Sequence, residues 1–145
     1  MPMTLTQHLA VTGVAAAALS PYLNGEGILL FSAGSVLIDV DHYLLYVQRT
    51  QRCDIRGMFR YFDELQPIQK TIPYVGLCLF HTVDFFLLVG ILALFHPVLL
   101  PLLAGFLFHF AVDLIALYRK GVPFIRPFFL VEHAIRRRSE GYPWY

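Results

Sequence analysis

Four long apolar stretches dominate this chain of 145 residues. They cover residues 5–23, 28–47, 72–95 and 98–118. A helix needs about 20 mostly apolar residues to cross a bilayer, and each stretch meets or nearly meets that length. The whole composition agrees. Hydrophobic residues make up 57% of the chain and charged residues only 14%. Average soluble domains carry roughly 25% charged residues. The formal net charge of +1 gives no basic footprint for a nucleic acid. The length allows one domain. The expected fold class is therefore all-α: a polytopic membrane protein with four transmembrane helices in a bundle, forming a single integral membrane domain over residues 1–145.

Turn residues separate the spans. Ser20-Pro21 and Asn24-Gly25-Glu26-Gly27 divide the first from the second, and His96-Pro97 divides the third from the fourth. The first stretch lacks the basic n-region of a cleaved signal peptide and reads as a span. Arg49, Arg52, Arg56, Arg60 and Lys70 fall in the loop 48–71. Arg119, Lys120, Arg126 and Arg136 to Arg138 follow the fourth span, in the segment 119–145. The positive-inside rule places that loop and both termini in the cytoplasm. Cys53 and Cys78 are then expected to be free thiols.

One or two amphipathic interfacial helices should accompany the bundle. Residues 54–66 carry Ile55, Met58, Phe59, Phe62 and Leu65 at helical spacing, which predicts a helix lying on the membrane surface. Residues 124–138 give a second candidate, with Phe124, Phe128 and Phe129 toward lipid. Tyr142, Trp144 and Tyr145 suit an interfacial tail.

The chemistry lies in what these spans should not contain. Acids and imidazoles are costly in hydrocarbon. Here His8, Asp39, Asp41, His42, His81, Asp84, His109 and Asp113 all fall within spans. Counted from the nearest basic residues, Asp39, His42, His81, His109 and Asp113 lie in one layer roughly 9–16 Å from the cytoplasmic edge. His8 lies near the cytoplasmic start of the first. Asp39 with His42, His81 with Asp84, and His109 with Asp113 each share a helix face. Helical bundles present metal ligands inward in this way. Asp41 lies off the face of Asp39 and could orient a ligating histidine or reach a second ion. Imidazole and carboxylate without thiolate suit zinc, and also manganese or iron. The number of groups exceeds the three or four ligands of one catalytic ion, so two or three ions are expected. Glu26 and His96 lie in outer loops and stay outside the site.

Residues 33–42, Ala33-Gly34-Ser35-Val36-Leu37-Ile38-Asp39-Val40-Asp41-His42, resemble a G-S-x-x-P-D-x-D-H motif. Phe80-His81-Thr82 resembles the end of an H-R-G-x-T-H-S motif, and Gly105 to Asp113 a G-x-x-x-H-x-x-x-D motif. Together they resemble the membrane-bound metal-dependent hydrolase family, labelled LexA-binding, inner-membrane-associated hydrolases. That family is distantly similar to zinc-dependent phospholipase C and P1 nuclease. The resemblance covers residues 4–118. It implies metal ligands at His8, Asp39, Asp41 or His42, His81, His109 and Asp113, in a bacterial or archaeal inner membrane. Ile38 stands where the motif has proline, and Gly76 where it has its first histidine.

The expected function is a membrane-embedded, metal-dependent hydrolase. It would cleave a phosphoester of a lipid-like substrate, using metal-activated water at the cytoplasmic side. Asp84 or Asp41 would serve as general base. Arg56 and Arg60 could attract an anionic headgroup, and His133 beside Glu132 could complete the site. The bilayer is the expected partner and a nucleic acid is not. The alternatives are an ion or proton transporter, a haem carrier between His81 and His109, and a non-catalytic metal-binding membrane protein.

Overall fold

The computed structural model describes residues 5–141, and all regular structure among them is helical. The helices are α1 (Leu5–Leu19), α2 (Gly25–Leu37), α3 (Val40–Thr50), α4 (Ile55–Leu65), α5 (Val83–Phe95), α6 (Leu100–Arg119) and α7 (Leu130–Ser139). Tyr142, Trp144 and Tyr145 lie outside the described residues.

Local chemistry sets the boundaries. The Asn24 side chain caps α2 by accepting from the Gly27 N–H at 2.8 Å. Asp54 caps α4, its Oδ2 accepting from the Gly57 N–H at 3.1 Å, while the Tyr46 hydroxyl donates to Oδ1 at 2.8 Å. Thr82 caps α5 by accepting from the Phe85 N–H at 3.3 Å. Gln51, at φ 56°, ends α3 in the left-handed region.

Two helical runs are long and apolar enough to cross a membrane. One is Gly25–Thr50, 26 residues through α2 and α3, and the other is Pro97–Arg119, 23 residues ending in α6. Helix α1 has 15 residues and α5 has 13. At 1.5 Å per residue these reach roughly 20–23 Å, against a hydrocarbon core of about 30 Å.

Three expectations need correction. Residues 72–82 are not the first half of a spanning helix; they form an irregular segment with one 3-10 turn at Leu79–His81. Pro73 cannot extend a helix, and Gly76 adopts φ 139°. Helix α4 does form, but its face Met58, Phe62 and Leu65 is buried in a core with Leu45, Tyr46, Val75, Cys78, Leu117 and Ile125. It covers protein rather than lying face-down in lipid. Residues 120–129 are not helical, so the second amphipathic segment starts at Leu130, after Pro123 and Pro127.

Helices α2 and α6 make the closest approach in the fold. A Cβ at Gly105 would overlap the Phe31 carbonyl oxygen, and one at Gly34 would overlap the Leu102 carbonyl. The two glycines let the backbones touch. A second core of Ile38, Phe86, Val89 and Phe106 lies on α2's end, α5 and α6. The polar residues fall between the two cores: Asp39 follows Ile38, His81 follows Cys78, and Asp113 precedes Leu117.

Candidate metal centre

A break between α2 and α3 places the first acids. Helix α2 ends at Leu37 and α3 starts at Val40, with Ile38 and Asp39 in a turn. In an unbroken helix, residues 39 and 41 would point about 200° apart. With the break, both carboxylates reach the His42 imidazole. Its Nδ1 lies 3.2 Å from Asp39 Oδ1 and 3.1 Å from Asp41 Oδ1. Neither contact has hydrogen-bond geometry, and both Asp41 Oδ1 and His42 Nδ1 lack a hydrogen-bond partner.

Two histidines are fixed by their Nδ1 atoms. His109 Nδ1 lies 2.7 Å from the Ser35 carbonyl oxygen. A carbonyl only accepts, so Nδ1 carries the proton and Nε2 presents its lone pair. The α2–α6 contact through Gly34 and Gly105 makes this bond possible. His81 Nδ1 lies 3.0 Å from Asp41 Oδ2, which also accepts from the Phe80 N–H at 2.9 Å. Asp41 therefore holds the Leu79–His81 turn and aims His81 Nε2. A carboxylate behind a histidine is the usual outer support of a metal ligand.

The two Nε2 atoms and two carboxylates converge. His109 Nε2 lies 3.3 Å from Asp39 Oδ1 and 3.9 Å from Asp113 Oδ2. His81 Nε2 lies 3.9 Å from Asp39 Oδ1 and 3.8 Å from Asp113 Oδ2. One ligand atom from each of Asp39, His81, His109 and Asp113 lies within 4.8 Å of all the others. Both Nε2 atoms are buried without a hydrogen-bond partner. Lone pairs facing carboxylate oxygens repel unless a cation or proton stands between them. Zinc with bonds of about 2.0–2.1 Å in a tetrahedral site sets its donors about 3.4 Å apart. The His109–Asp39 pair at 3.3 Å meets that spacing, the other three separations of 3.8–3.9 Å are wider, and the group could hold a metal ion.

Neighbouring groups complete the site. The His8 ring stacks on His109 at 4.3 Å, and its Nε2 lies 3.3 Å from Asp113 Oδ1. Arg126, in segment 120–129, is buried at 7% exposure. Its Nη2 donates to Asp113 Oδ2 at 2.6 Å, and Nη1 lies 3.3 Å from His42 Nε2. Guanidinium only donates, so His42 Nε2 is the acceptor and Nδ1 carries the proton. His42 thus bridges Arg126 to the acids. Burial opposes the charge on Arg126, but Asp113 beside it outweighs burial and holds the guanidinium's pKa above its ordinary value. Sequence reasoning missed this residue, because a basic residue after a cytoplasmic span already has an explanation.

The expected residues divide cleanly. His8, Asp39, Asp41, His42, His81, His109 and Asp113 come together. Asp84 does not: its Oδ2 accepts from the Leu130 N–H at 2.8 Å and holds the start of α7. Asp41 Oδ2 is likewise engaged as a support. Arg56 and Arg60 line an exposed groove with Arg52 and Tyr61, away from the centre. His133 packs edge-on against Tyr74 with ring centroids 6.0 Å apart, and Glu132 Oε2 accepts from the Phe128 N–H at 2.7 Å. Cys53 and Cys78 are free thiols, and Cys78 is buried next to Asp41 and His42 as part of a second possible ligand group. Comparison with protein families, curated proteins and solved structures gives no match.

Proposed function

We propose that the protein is a membrane-embedded, metal-dependent hydrolase that cleaves a phosphoester of a lipid. The observation that carries this reading is the convergence of two oriented, unpartnered imidazole nitrogens with the buried Asp113 carboxylate and the partly buried Asp39 carboxylate. Asp39, His81, His109 and Asp113 would hold a divalent ion, and zinc suits their imidazole and carboxylate donors. When bound, such an ion supplies Lewis-acid polarisation of a phosphoryl oxygen and activates water at neutral pH.

Charge supports the assignment. With the imidazoles neutral, Asp39, Asp41 and Asp113 would carry three negative charges against one positive charge on Arg126. A divalent cation offsets the remaining two, and buried charge needs such compensation. Asp41 and the Ser35 carbonyl keep His81 and His109 in one tautomer. His8 Nε2, beside Asp113 Oδ1, can hold or pass a proton at the edge of the group.

The substrate class follows from the outside of the fold. Leu29, Leu44, Leu87, Ile91, Leu94 and Ile115 are exposed on helices α2, α3, α5 and α6. Apolar surface of that extent belongs against lipid or a partner. With α1 and α5 added to the two longer runs, four segments would sit in the bilayer, with the basic loop and both termini on the cytoplasmic side of an inner membrane. A buried site in such a bundle takes its substrate from the membrane.

The test is hydrolysis of a phospholipid panel by the full chain reconstituted in liposomes with Zn²⁺, Mn²⁺ or Fe²⁺. Metal-dependent release of a phosphate or phosphorylated headgroup, abolished in His81→Ala and His109→Ala, is the expected result. A metal-loaded protein that cleaves no member of the panel contradicts the reading.

A further inference from the structure

The loop 48–71 carries charge that the metal centre does not use. Arg52, Arg56, Arg60 and Glu64 line an open cleft of about 480 Å³ with Tyr46 and Tyr61. Binding sites for small ligands are clefts of about 300–1,000 Å³. Arg56, Arg60 and Glu64 follow one another at four-residue steps on α4 and share a face. That face is not the buried one of Met58, Phe62 and Leu65. The Tyr46 hydroxyl, donating to Asp54 at 2.8 Å, fixes the α3 side of the cleft. A Cβ at Gly57 would overlap both groups, so glycine lets the first turn of α4 close on them.

The acids and bases of the cleft are unequally engaged. Asp54 accepts from the Gly57 N–H and the Tyr46 hydroxyl. Among the described residues, no ion pair or side-chain hydrogen bond joins the guanidinium of Arg52, Arg56 or Arg60 to another residue. Three guanidinium groups therefore share the cleft with one uncommitted carboxylate, Glu64. The positive-inside rule accounts for basic residues in this loop, but not for three in one cleft without a partner. Arg52 follows the apolar run Gly25–Thr50 by two residues, which puts the cleft where that run would leave a bilayer. Ile55, next to Arg56 in the first turn of α4, is 63% exposed. Exposed apolar and basic side chains meet in this way on surfaces that lie against lipid headgroups.

We propose that the Arg52/Arg56/Arg60 cleft holds the phosphate headgroup of an anionic phospholipid from the cytoplasmic leaflet, as a lipid site separate from the metal centre. The planar guanidinium fork matches phosphate oxygens in two parallel bonds. Clusters of basic residues just past a spanning helix attract anionic lipid in this way. The proposal rests on the membrane placement above and is independent of the metal reading.

The experiment uses the full chain. Its insertion into liposomes is checked first, by flotation after an alkaline wash. Lipid binding is then measured in detergent by native mass spectrometry, with phosphatidylglycerol and with phosphatidylcholine of the same acyl chains. Wild type should bind phosphatidylglycerol about tenfold or more tightly than phosphatidylcholine. The triple variant Arg52→Gln, Arg56→Gln, Arg60→Gln should bind phosphatidylglycerol about tenfold or more weakly than wild type, the scale of losing charge-assisted hydrogen bonds. A charge-matched control, Arg119→Gln, Arg137→Gln, Arg138→Gln, should stay within about twofold, since exposed charges elsewhere are screened by salt. Metal content of the cleft variant should equal that of wild type.

Wild-type affinity in the cleft variant, or an equal loss in the charge-matched control, overturns the site. Should the triple variant fail to fold, Arg56→Gln alone decides: unchanged affinity overturns the site and weakened affinity upholds it. Equal binding of the two lipids overturns the anionic headgroup. Displacement of phosphatidylglycerol by an equal concentration of glycerol 3-phosphate overturns the lipid and assigns the cleft to a soluble phosphate. Loss of metal in the cleft variant overturns its separation from the metal centre. A chain that does not insert into liposomes overturns the membrane placement and this proposal with it, and that result appears before any lipid is titrated.

Discussion

Asp41→Asn isolates the outer support of the metal centre. The change keeps side-chain volume and removes the charge. Asp41 Oδ2 accepts from His81 Nδ1 at 3.0 Å and from the Phe80 N–H at 2.9 Å. An amide oxygen in the same place can still accept both, as neutral hydrogen bonds. Bonds to charged groups contribute about 1.5–3 kcal/mol and neutral ones about 0.5–1.5 kcal/mol. The loss is then about 1 kcal/mol per bond and about 2 kcal/mol in all. That corresponds to metal binding about 30-fold weaker, within the range of about 10–100-fold seen when the partner of a ligating histidine is removed. The new amide nitrogen also faces His42 Nδ1, where the carboxylate oxygen stood at 3.1 Å. Two donors then oppose each other, which weakens binding further. The assay is competition for Zn²⁺ with a chromogenic chelator of known affinity, on folded protein judged by circular dichroism. Zinc affinity within about twofold of wild type, a difference of about 0.4 kcal/mol, would refute the role given to Asp41.

Other outcomes test the framework around the site. Gly105→Ala forces a methyl group into the Phe31 carbonyl and pushes α6 from α2, which should cost about 1–3 kcal/mol. It should also weaken metal binding through the His109–Ser35 bond. Gly13→Ala, with nothing within 4 Å, is the control in a thermal-unfolding series. Phe62→Ala should destabilise by about 3–5 kcal/mol, because Phe62 is 3% exposed in the first core. Ile55→Ser, at a site 63% exposed, should change little. Equal effects of the two in denaturant titration would return α4 to the lipid surface. Glu26→Ala and His96→Ala should leave metal content as it is in wild type, and loss of metal in either would show a wrongly drawn site.

Much of this arrangement was legible in the residues. The Asp and His positions stand out because apolar helices avoid such groups, and seven of the eight converge. Asp84 is the exception, since helical spacing from His81 carries no information once a helix starts only at Val83. The signals were present in Thr82, a capping residue, and in Pro73 and Gly76. Helix α4 was placed by its apolar spacing, but a face that suits lipid suits a protein core equally. The mutual reach of Asp39 and Asp41 depends on a break at Ile38 that no helix-breaking residue announces. Arg126 was hidden among basic residues that the membrane topology already explains. Only the fold of residues 120–129 turns it inward, where Pro123 and Pro127 prevent α6 from running on.

The central claim is that Asp39, His81, His109 and Asp113 hold a divalent cation. Elemental analysis of the detergent-purified full chain, after equilibration with Zn²⁺, Mn²⁺ and Fe²⁺ and removal of free metal, tests it most directly. The account predicts bound divalent metal in wild type and its loss in His81→Ala and His109→Ala. Wild-type protein that retains no metal after reconstitution would contradict the account and make the His/Asp group a proton or ion relay.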